Sequence, residues 1–361
     1  MERVMVGTMA EVGDLVRGAA AVRLSGRNTK AGLGLIPAGA LHLDLSALRG
    51  VVAYEPAEFT FTALAGTPIS EIETMLAGRG QYLPFDPLFA ENGATLGGTV
   101  AANGAGPGRY RYGGVRDFIL GVRFVDGQGN LVRGGGKVVK NAAGFDVPKL
   151  MVGSLGRLGV LLELTFKVFP KPQHYVTVQA DFASLGEGLA AMQRLVASPL
   201  EVDALELTPA GTLWIRLGGL AGSLPGRAQN LLRFLGRGQV LADEARLWQE
   251  GRQFGWRPAG TSLVKVALNP QKLLVFEALL PPIARRYSVA GNVAWLAWAG
   301  PLADLHRLLN EQGLSGQVMV GPAGVIALLG RPPDPIFWSR VKQGLDPAGK
   351  FGDLVQPTNG P

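Results

Sequence analysis

NGATLGGTVAANGAGPGRYRYGGVRDFILGVRFVDGQGN occupies residues 92–130, and KNAAGFDVPKLMVGSLGRLGVLLELTFKV follows at residues 140–168. Both runs combine glycine-rich turns with segments that are typical of strands. Glycine has no side chain, so a backbone that contains it can approach a bound group closely. The stretch therefore predicts a turn-rich fold of helices and strands whose main chain holds a large anionic ligand.

Three turns are candidates for that site. Residues 23–30, RLSGRNTK, follow a predicted strand, and their successive N–H groups can form an anion nest. Taken alone, an ordinary structural turn explains them equally well. Residues 93–99, GATLGGT, place adjacent glycines before a run of small residues. Residues 153–159, GSLGRLG, lead into a strand that we expect to begin at Val160, which brings main-chain groups to the edge of a heterocycle.

These turns match neither of two common nucleotide-binding motifs. No G-x-G-x-x-G run follows a strand with an acidic residue about twenty positions later, so a Rossmann site is unsupported. Residues 344–350, GLDPAGK, have most of the P-loop spacing, but Phe351 replaces the Ser or Thr that holds magnesium and Pro347 lies inside the loop. The sequence therefore disfavours a nucleotide triphosphatase.

Composition excludes several other kinds of site. The chain has 361 residues and is 47% hydrophobic, which is enough for two domains with a sizeable core. It has no cysteine, which excludes disulfides, thiolate-bound zinc, iron–sulfur clusters and thiol catalysis on this chain. Its three histidines, His42, His174 and His306, are far apart, so no metal site is predicted. The net charge of +7 is scattered, which favours a solvated surface and a phosphate-bearing ligand over nucleic acid.

Targeting signals are missing from the sequence. The first residues, MERVMVGTMAEVGDLV, lack the basic and apolar segments of a signal peptide. No apolar run approaches the ~18 residues that span a bilayer. We therefore expect a cytoplasmic protein, with peripheral contact at the inner face of the membrane only through partners.

Local patterns predict several elements. Thr8 and Glu11 have the spacing of a helix capping box. Residues 121–135 have the turn chemistry of a β-hairpin, and alternation over residues 162–168 predicts a half-buried strand with one wet face. FPKPQ, at residues 169–173, suits a domain boundary. Beyond it, two similar orders of strands and helices predict an α+β domain of two halves.

The turns and their flanks resemble a known family. Residues 23–30 and 92–168 are similar to the FAD-binding domain of the vanillyl-alcohol oxidase / p-cresol methylhydroxylase (PCMH) flavoproteins, and within that family to the smaller flavin subunits, the E subunits, of bacterial glycolate oxidases. ATLGGTVAANGAGPGR, RYGGVRDFILG, GGKVVKNAAGFDVPKL and GSLGRLGVLLE carry the likeness, which covers about half of the chain. It implies an α+β fold with a two-subdomain PCMH-type FAD-binding domain at residues 1–172. It also implies an α+β cap domain with ferredoxin-like halves at residues 173–330. The tail at residues 331–361 is expected to pack back towards the FAD domain.

The resemblance also implies which residues bind FAD. Those expected at the pyrophosphate are Ser25, Gly26, Arg27, Asn28, Thr29, Thr95, Gly97 and Gly98. Those expected along the flavin, or near its ring or the adenosine, are Asn103, Gly104, Gly106, Gly156, Leu158, Gly159 and Val160. A further group also matches family positions, but helix caps and salt bridges explain it equally well; its members are Arg111, Tyr112, Gly113, Lys140, Asn141, Gly144 and Asp146.

The chain departs from the family in ways that bear on catalysis. Covalent members attach FAD through a histidine or cysteine near the cofactor loops, and these loops contain neither, so we expect noncovalent FAD. Related 2-hydroxyacid dehydrogenases carry a motif with histidine and glutamate in the substrate domain. Here only His174 and His306 follow residue 172, and an ordinary surface or interface role suits His306. No catalytic base and no metal ligand is therefore assigned.

The resemblance implies an FAD-binding subunit of a glycolate oxidase complex, beside a larger flavin subunit and an iron–sulfur subunit. Because no base is recognisable, we expect FAD here to act chiefly as scaffold or electron relay while the larger partner oxidises the 2-hydroxy acid. One alternative is a self-sufficient D-2-hydroxyacid dehydrogenase whose base is His306 or a tyrosine. A second is a noncatalytic assembly subunit without FAD. The apolar segment with Trp295 and Trp298 fits partner docking, although a buried strand suits it better.

Overall fold

A computed structural model describes residues 2–30, 39–136, 145–322, 327–332 and 334–354. Within them, strands form a parallel N-terminal sheet, two larger antiparallel sheets and one short pair. The N-terminal sheet has the order β1-β3-β2. Its elements are β1 (Arg3–Met5), α1 (Met9–Gly18), β2 (Val22–Ser25) and β3 (Leu41–Asp44).

The first helix begins where the sequence predicts. Both reciprocal contacts of a capping box link Thr8 and Glu11 at the start of α1. Glu11 accepts hydrogen bonds at 2.8 Å from the backbone N–H groups of Gly7 and Thr8, which satisfies donors that the helix leaves open. The helix lies between β1 and β2, so it connects two parallel strands that lie on either side of β3.

The second sheet, here called the small sheet, is antiparallel with the order β4-β5-β9-β7-β8. The predicted hairpin is confirmed, since β7 pairs with β8 from Gly121 to Gly135 and the turn between them places Gly129 at a φ of +80°. The strands of this sheet are β4 (Val51–Glu55), β5 (Thr60–Leu64), β7 (Ile119–Val125), β8 (Leu131–Gly135) and β9 (Val160–Lys167).

One strand prediction holds only in part. The alternating residues 162–168 belong to β9, which lies between β5 and β7, and its polar face is only partly exposed, at Glu163 and Lys167. Thr165 is buried and its hydroxyl lies 2.9 Å from that of Thr62, while Glu163 pairs with Arg123 across the strand. Polar residues alternate here because cross-strand partners satisfy them, a circumstance that periodicity alone does not reveal.

Short helices and one strand pair surround the small sheet. The strand pair joins residues on either side of the sequence motif, and Phe169 faces Tyr82 in it. These elements are α2 (Ile69–Ala77), β6 (Gln81–Tyr82), α3 (Leu96–Ala101), α4 (Arg109–Tyr112), α5 (Val115–Phe118), α6 (Val147–Met151) and β10 (Phe169–Pro170).

The third sheet, here called the large sheet, has the order β14-β11-β13-β12-β16-β17-β15-β18-β19 in the described part of the chain. Its elements are β11 (His174–Asp181), α7 (Leu185–Val196), β12 (Ala204–Leu207), β13 (Thr212–Gly219), α8 (Leu224–Leu235), β14 (Gln239–Val240), α9 (Glu244–Gln253), β15 (Ser262–Ala267), α10 (Leu273–Leu279), β16 (Arg285–Ser288), β17 (Val293–Trp298), α11 (Leu302–Glu311), β18 (Ser315–Val320) and β19 (Leu328–Gly330).

The predicted ferredoxin-like halves are confirmed by this order. β11 to β14 lie in the spatial order fourth, first, third, second, and β15 to β18 repeat that order in reverse. The two halves join where β12 pairs with β16 through Glu206 and Ser288. All pairs in the large sheet are antiparallel, because α7, α8, α10 and α11 each connect two strands that have a third, antiparallel strand between them.

The large sheet packs on both of its faces. Helices cover one face, where Val264 and Val266 of β15 join a core with Leu305 of α11. On the other face, Leu263 and Trp295 share a core with Phe61 and the remainder of the small sheet. Alternate residues of a strand point to opposite faces, so one strand serves both cores. Because the second core draws side chains from both sides of residue 172, the domain boundary at that residue stays a prediction.

Trp295 and Trp298 lie on β17 and are 4% and 7% exposed. The interpretation of this apolar segment as a buried strand is confirmed. Phe254 contacts Trp295 with ring centroids 4.6 Å apart, so the tryptophan belongs to the core between the sheets. Docking of a partner on this segment is thereby excluded.

The C-terminal segment contacts the N-terminal half of the chain. It begins with α12 (Pro335–Leu345) and continues to Leu354. Phe351 is fully buried in the core between the N-terminal sheet and the small sheet. The backbone N–H of Val22 donates to Lys350 at 2.8 Å, and that of Gly127 donates to Leu345 at 2.8 Å. These contacts place residues 345–351 beside β2 and the β7–β8 turn.

Candidate FAD site

The three glycine-rich turns meet in one cleft. It encloses about 1090 Å³ of empty space, including space open to solvent, which suits a large ligand. Ten residues that the family resemblance assigned to FAD line it, namely Ser25, Gly26, Arg27, Asn28, Thr29, Thr95, Gly97, Gly98, Gly156 and Gly159. The segments lie far apart in sequence, so their meeting depends on the fold.

A histidine on the neighbouring strand contacts the first turn. Ser25 ends β2, and its hydroxyl lies 2.6 Å from Nε2 of buried His42 on the neighbouring strand β3. Burial, with two arginines nearby, lowers the pKa of His42 and favours its neutral form. Asn28 then adopts a φ of +54°, a left-handed conformation that asparagine tolerates better than most residues. The turn therefore presents its backbone and Thr29 to the cleft.

The second turn packs against the first with little room to spare. Thr95 caps α3 by accepting a hydrogen bond from the N–H of Gly98 at 3.2 Å. A Cβ added to Gly26 would lie 2.6 Å from Oγ1 of Thr95, and one added to Gly97 would lie 2.8 Å from Cβ of Ala65. Glycine is needed at both positions because the backbones approach too closely for a side chain.

The third turn joins the cleft to the C-terminal segment. Gly156 and Gly159 have φ values of +72° and +155°, and a Cβ at Gly159 would meet Phe124 at 2.6 Å. Arg157, between them, donates from Nη1 to the carbonyl oxygen of Phe351 at 2.7 Å. Phe351 itself lines the cleft. One wall of the cleft is thus built by residues almost two hundred positions apart in sequence.

The cleft carries positive charge that suits a pyrophosphate. Arg23, Arg27, Lys30 and Arg157 line it. Lys30 is 7% exposed, and burial lowers its pKa to about 8. Its Nζ lies 3.3 Å from the hydroxyl of Thr29 and 5.6 Å from the centre of the Phe89 ring. A buried ammonium favours a bound anion, because ion pairing offsets the cost of its desolvation.

Five other assigned residues do not line the cleft. Leu158 and Val160 are fully buried in apolar cores, the first just before β9 and the second as its first residue. The N–H of Gly106 donates to the carbonyl oxygens of Phe85 and Asp86, so this glycine lies where two chain segments cross. Asn103 and Gly104 follow α3 on the side of the large sheet. Their assignment to FAD stays a prediction.

The other residues that match family positions have different roles in the structure. Arg111 pairs with Glu201 at 2.8 Å and with Asp203 at 3.3 Å, and the hydroxyl of Tyr112 donates to Asp203. These bonds join α4 to the segment before β12, so the salt-bridge interpretation holds for this pair. Residues 140, 141 and 144 of the group lie outside the described residues. Asp146 caps α6 by accepting from the N–H of Lys149 at 3.2 Å.

Two residues from the sequence analysis, His306 and Lys350, make hydrogen bonds within the fold. His306, on the helical side of the large sheet, accepts at Nδ1 from the N–H of Gly330 at 3.2 Å, and its Nε2 lies 2.8 Å from the side chain of Asn310. It therefore lies away from the cleft with both nitrogens engaged. In the P-loop-like segment, Lys350 donates from Nζ to the carbonyl oxygens of Val16 and Arg17, at the end of α1. A phosphate has no place there.

Several lining residues escaped the sequence prediction. They are Val22, Arg23, Leu24, Lys30, Leu45, Ala65, Ala101, Leu155, Arg157, Leu161 and Phe351. Lys30 and Arg157 stand inside the quoted motifs, so a search for cations beside the glycines would have found them. Phe351 has no such signal, because only the fold brings it to the cleft. Among the described residues, no group of three or more His, Asp or Glu side chains is arranged to hold a metal ion.

Comparisons with known proteins show an FAD-binding domain and related flavoproteins. An FAD binding domain family matches residues 3–135. Glycolate oxidase subunit GlcE of Escherichia coli (strain K12) is 36% identical over 336 residues, which cover 91% of this chain and 90% of that protein. Glycolate oxidase subunit GlcD of Bacillus subtilis (strain 168) is 28% identical over 49% of this chain and 37% of its own length. A D-lactate dehydrogenase of Anaerostipes hadrus is 29% identical over 46% of this chain and 35% of its own.

The fold also has a solved counterpart. An alkyldihydroxyacetonephosphate synthase structure superposes with a TM-score of 0.71 over 98% of this chain and 77% of that chain, at 14% identity. This likeness concerns the fold alone, and it agrees with an α+β PCMH-type flavoprotein architecture. The near full-length match to an E subunit confirms the resemblance drawn from the motifs. The chain therefore belongs to the glycolate oxidase E-subunit family and carries its FAD-binding domain.

Proposed function

We propose that this chain is the FAD-binding subunit of a multi-subunit oxidoreductase that converts glycolate, or a related 2-hydroxy acid, to the 2-oxo acid. The observation that carries the proposal is the 36% identity to a glycolate oxidase subunit over nearly the whole of both chains. The convergence of three turns on one cationic cleft supports it independently. Bound FAD would supply the acceptor for the two electrons that leave the hydroxyl-bearing carbon.

The residues of the cleft suit FAD in a definite orientation. Gly26 and Thr29 offer backbone and hydroxyl donors where the first two turns meet, and Arg27 and Lys30 add positive charge there. The pyrophosphate would lie at this meeting point, since two phosphate charges need both donors and cations. The side of the cleft formed by Ala101 leads towards the large sheet, where the flavin ring would lie.

FAD should be held without a covalent bond. His42 contacts Ser25 below the first turn, but its ring is 6% exposed and Nε2 is engaged by the serine hydroxyl. Cysteine is absent from the whole chain. The nucleophiles that attach FAD in other family members are thus either missing or occupied. Treatment with acid or heat should release all of the flavin into solution.

In this proposal, electrons pass from the flavin to an iron–sulfur subunit, and a larger flavin subunit completes the complex. The similarity to two glycolate oxidase subunits, GlcE and GlcD, supports a multi-subunit enzyme. No helix in the described part of this chain is long and apolar enough to cross a membrane. The proposal includes peripheral contact with the inner face of the membrane, made through the partners.

Affinity purification of the tagged chain from its native cells tests the assembly. The expected result is a yellow complex that contains a second, larger flavoprotein and an iron–sulfur protein, and that oxidises glycolate with an artificial acceptor. A chain that purifies alone from gently lysed cells, and adds no activity when the larger flavoprotein is supplied, would contradict it.

A second candidate is a self-sufficient D-2-hydroxyacid dehydrogenase, because D-lactate dehydrogenase is among the relatives. The chain corresponds to only 35% of the length of that enzyme, and His306 is engaged on the far side of the large sheet. Both facts favour the subunit proposal. Turnover of glycolate or D-lactate by the isolated chain would reverse the preference.

A further inference from the structure

A row of long side chains crosses the large sheet on the face towards the cleft. Gln317 of β18, Lys265 of β15, Trp295 of β17 and Arg286 of β16 are successive cross-strand partners. Nε2 of Gln317 donates to the carbonyl oxygen of Ala102 at 3.1 Å. The row therefore rests on the segment that follows α3, where the resemblance places the flavin.

Lys265 carries its charge into this contact without an acidic partner. Its Nζ lies 3.4 Å from the carbonyl oxygen of Asn103 and 5.9 Å from the centre of the Trp295 ring. Among the described residues, no carboxylate lies within 4 Å of it. The Lys265 side chain lies between the large sheet and the segment that follows α3, yet part of its surface stays accessible to solvent. Lys265 is therefore a largely enclosed cation at the contact between the large sheet and the segment that follows α3.

A second cation lies beside the same asparagine. Arg109 belongs to α4, outside the large sheet. A Cβ placed on Gly114 would lie 3.9 Å from Cζ of Arg109 and 3.8 Å from Oδ1 of Asn103. Within the described residues, Arg109 makes no ion pair and its side chain no hydrogen bond. Asp117, whose charge it feels, accepts from the N–H of Gly114 at 2.8 Å. Two cations, Lys265 from the large sheet and Arg109 from α4, thus flank Asn103.

The electrostatics of the pair favour an anion. Burial, and then the charge of Arg109, lower the pKa of Lys265 to about 7, and burial lowers the pKa of Arg109. Both shifts reflect the cost of holding positive charge away from water, which Asp117 offsets in part for Arg109 and no acidic group offsets for Lys265. A bound anion would remove that cost and form charge-assisted hydrogen bonds with both groups.

The contact between Lys265 and the segment after α3 also lies next to the FAD cleft. Ala101, two residues before Asn103, lines the cleft, as does Lys30. A Cβ placed on Gly104 would lie 3.8 Å from Cε of Lys30, so the segment 101–104 separates the cleft from the cation pair by one thickness of backbone. An anion held between Lys265 and Arg109 would therefore lie next to the inner end of the cleft.

We propose that Lys265 and Arg109 form a binding site for a small carboxylate, the carboxylate of the 2-hydroxy acid or its 2-oxo product, at the inner end of the FAD cleft. This rests on the proposed function. Arg109 offers a planar pair of donors that matches a carboxylate, while Lys265 supplies a compact charge on the other side. The chain would then contact the substrate itself, in contrast to the expectation from sequence that FAD serves here only as scaffold or relay.

Oxalate, a small carboxylate that cannot be oxidised as a 2-hydroxy acid, is the probe. Titrated into the FAD-loaded chain, it should perturb the flavin absorption spectrum and bind by calorimetry. Lys265→Met and Arg109→Met should each weaken its binding about tenfold or more, because each removes one charged partner. Methionine is nearly the same length as lysine, so folding is preserved. Lys272→Met, which alters an exposed lysine of the same half, should bind oxalate as the unaltered chain does.

The pH profile supplies a second readout. Oxalate binding favours protonated Lys265, so affinity should fall as pH rises above about 7, and Lys265→Arg should abolish that fall while retaining binding. Equal affinity in all variants, or absence of oxalate binding by the FAD-loaded chain, would overturn the site. A chain that takes up no FAD overturns the proposed function instead, and calorimetry with oxalate then still decides the carboxylate site.

Discussion

Replacing Lys342 with methionine tests whether the C-terminal segment is part of the FAD site. Nζ of Lys342 donates to Asp346 at 2.7 Å and to the carbonyl oxygens of Arg157 and Gly352 at 2.7 and 2.6 Å. The lysine is 8% exposed and the side chain of Asp346 is fully buried. This single ammonium ties α12 to the third glycine-rich turn and to the residue after Phe351.

The size of the expected loss of stability follows from the groups that Lys342→Met leaves without a partner. Without Lys342, the Asp346 carboxylate keeps the backbone N–H groups of Lys350 and Phe351, both at 2.9 Å, but loses its counter-charge. Breaking a buried ion pair by removing one partner costs about 3–5 kcal/mol. Because Phe351 lines the cleft and anchors Arg157, FAD affinity should fall as well, by about tenfold or more.

Urea unfolding at pH 7, with and without added FAD, measures both effects. Lys342→Met should lose about 3–5 kcal/mol, and the additional change Asp346→Asn should restore part of it by removing the unpaired charge. Lys171→Met, at an exposed lysine, should behave as the unaltered chain. If Lys342→Met unfolded at the same urea concentration and bound FAD equally well, the segment would not belong to the site.

Two further changes probe the first turn. Gly26→Val should lower FAD affinity at least about tenfold while keeping the circular dichroism spectrum, since even a Cβ would lie 2.6 Å from Oγ1 of Thr95, and Gly226→Val, at a site open to solvent, should not. His42 has its pKa lowered, chiefly by burial, so the stability it contributes is complete above its ordinary pKa of 6.5 and is lost as pH falls below that value. His42→Gln should lack this loss in unfolding measurements between pH 5 and 8, and an unchanged profile would contradict the neutral pairing with Ser25.

Local patterns predicted much of this fold because their causes are local. The capping box of Thr8 and Glu11, the hairpin over residues 121–135 and the start of β9 at Val160 all depend on neighbouring residues. The order of strands and helices after residue 172 likewise indicated two similar halves, and the resemblance implied that they are ferredoxin-like. Ten of the residues that the resemblance assigned to FAD line one cleft, because glycine turns are compact signals.

What the sequence did not reveal depends on contacts between distant segments. β9 looked half exposed because nothing in its own pattern reports that Thr62 and Arg123 satisfy its polar residues. His42 was excluded from the cofactor loops, yet pairing of β2 with β3 brings it under Ser25. Lys265 lies in a pattern that reads only as an amphipathic strand. Its lack of an acidic neighbour is a property of the fold.

The flavin content of the isolated chain tests the central claim most directly. The absorption spectrum of the purified chain, recorded before and after acid precipitation, should show close to one FAD per chain, all of it released into the supernatant. Flavin that stays with the precipitated protein would contradict noncovalent binding. A colourless, folded chain that takes up no added FAD would contradict the assignment of the cleft itself.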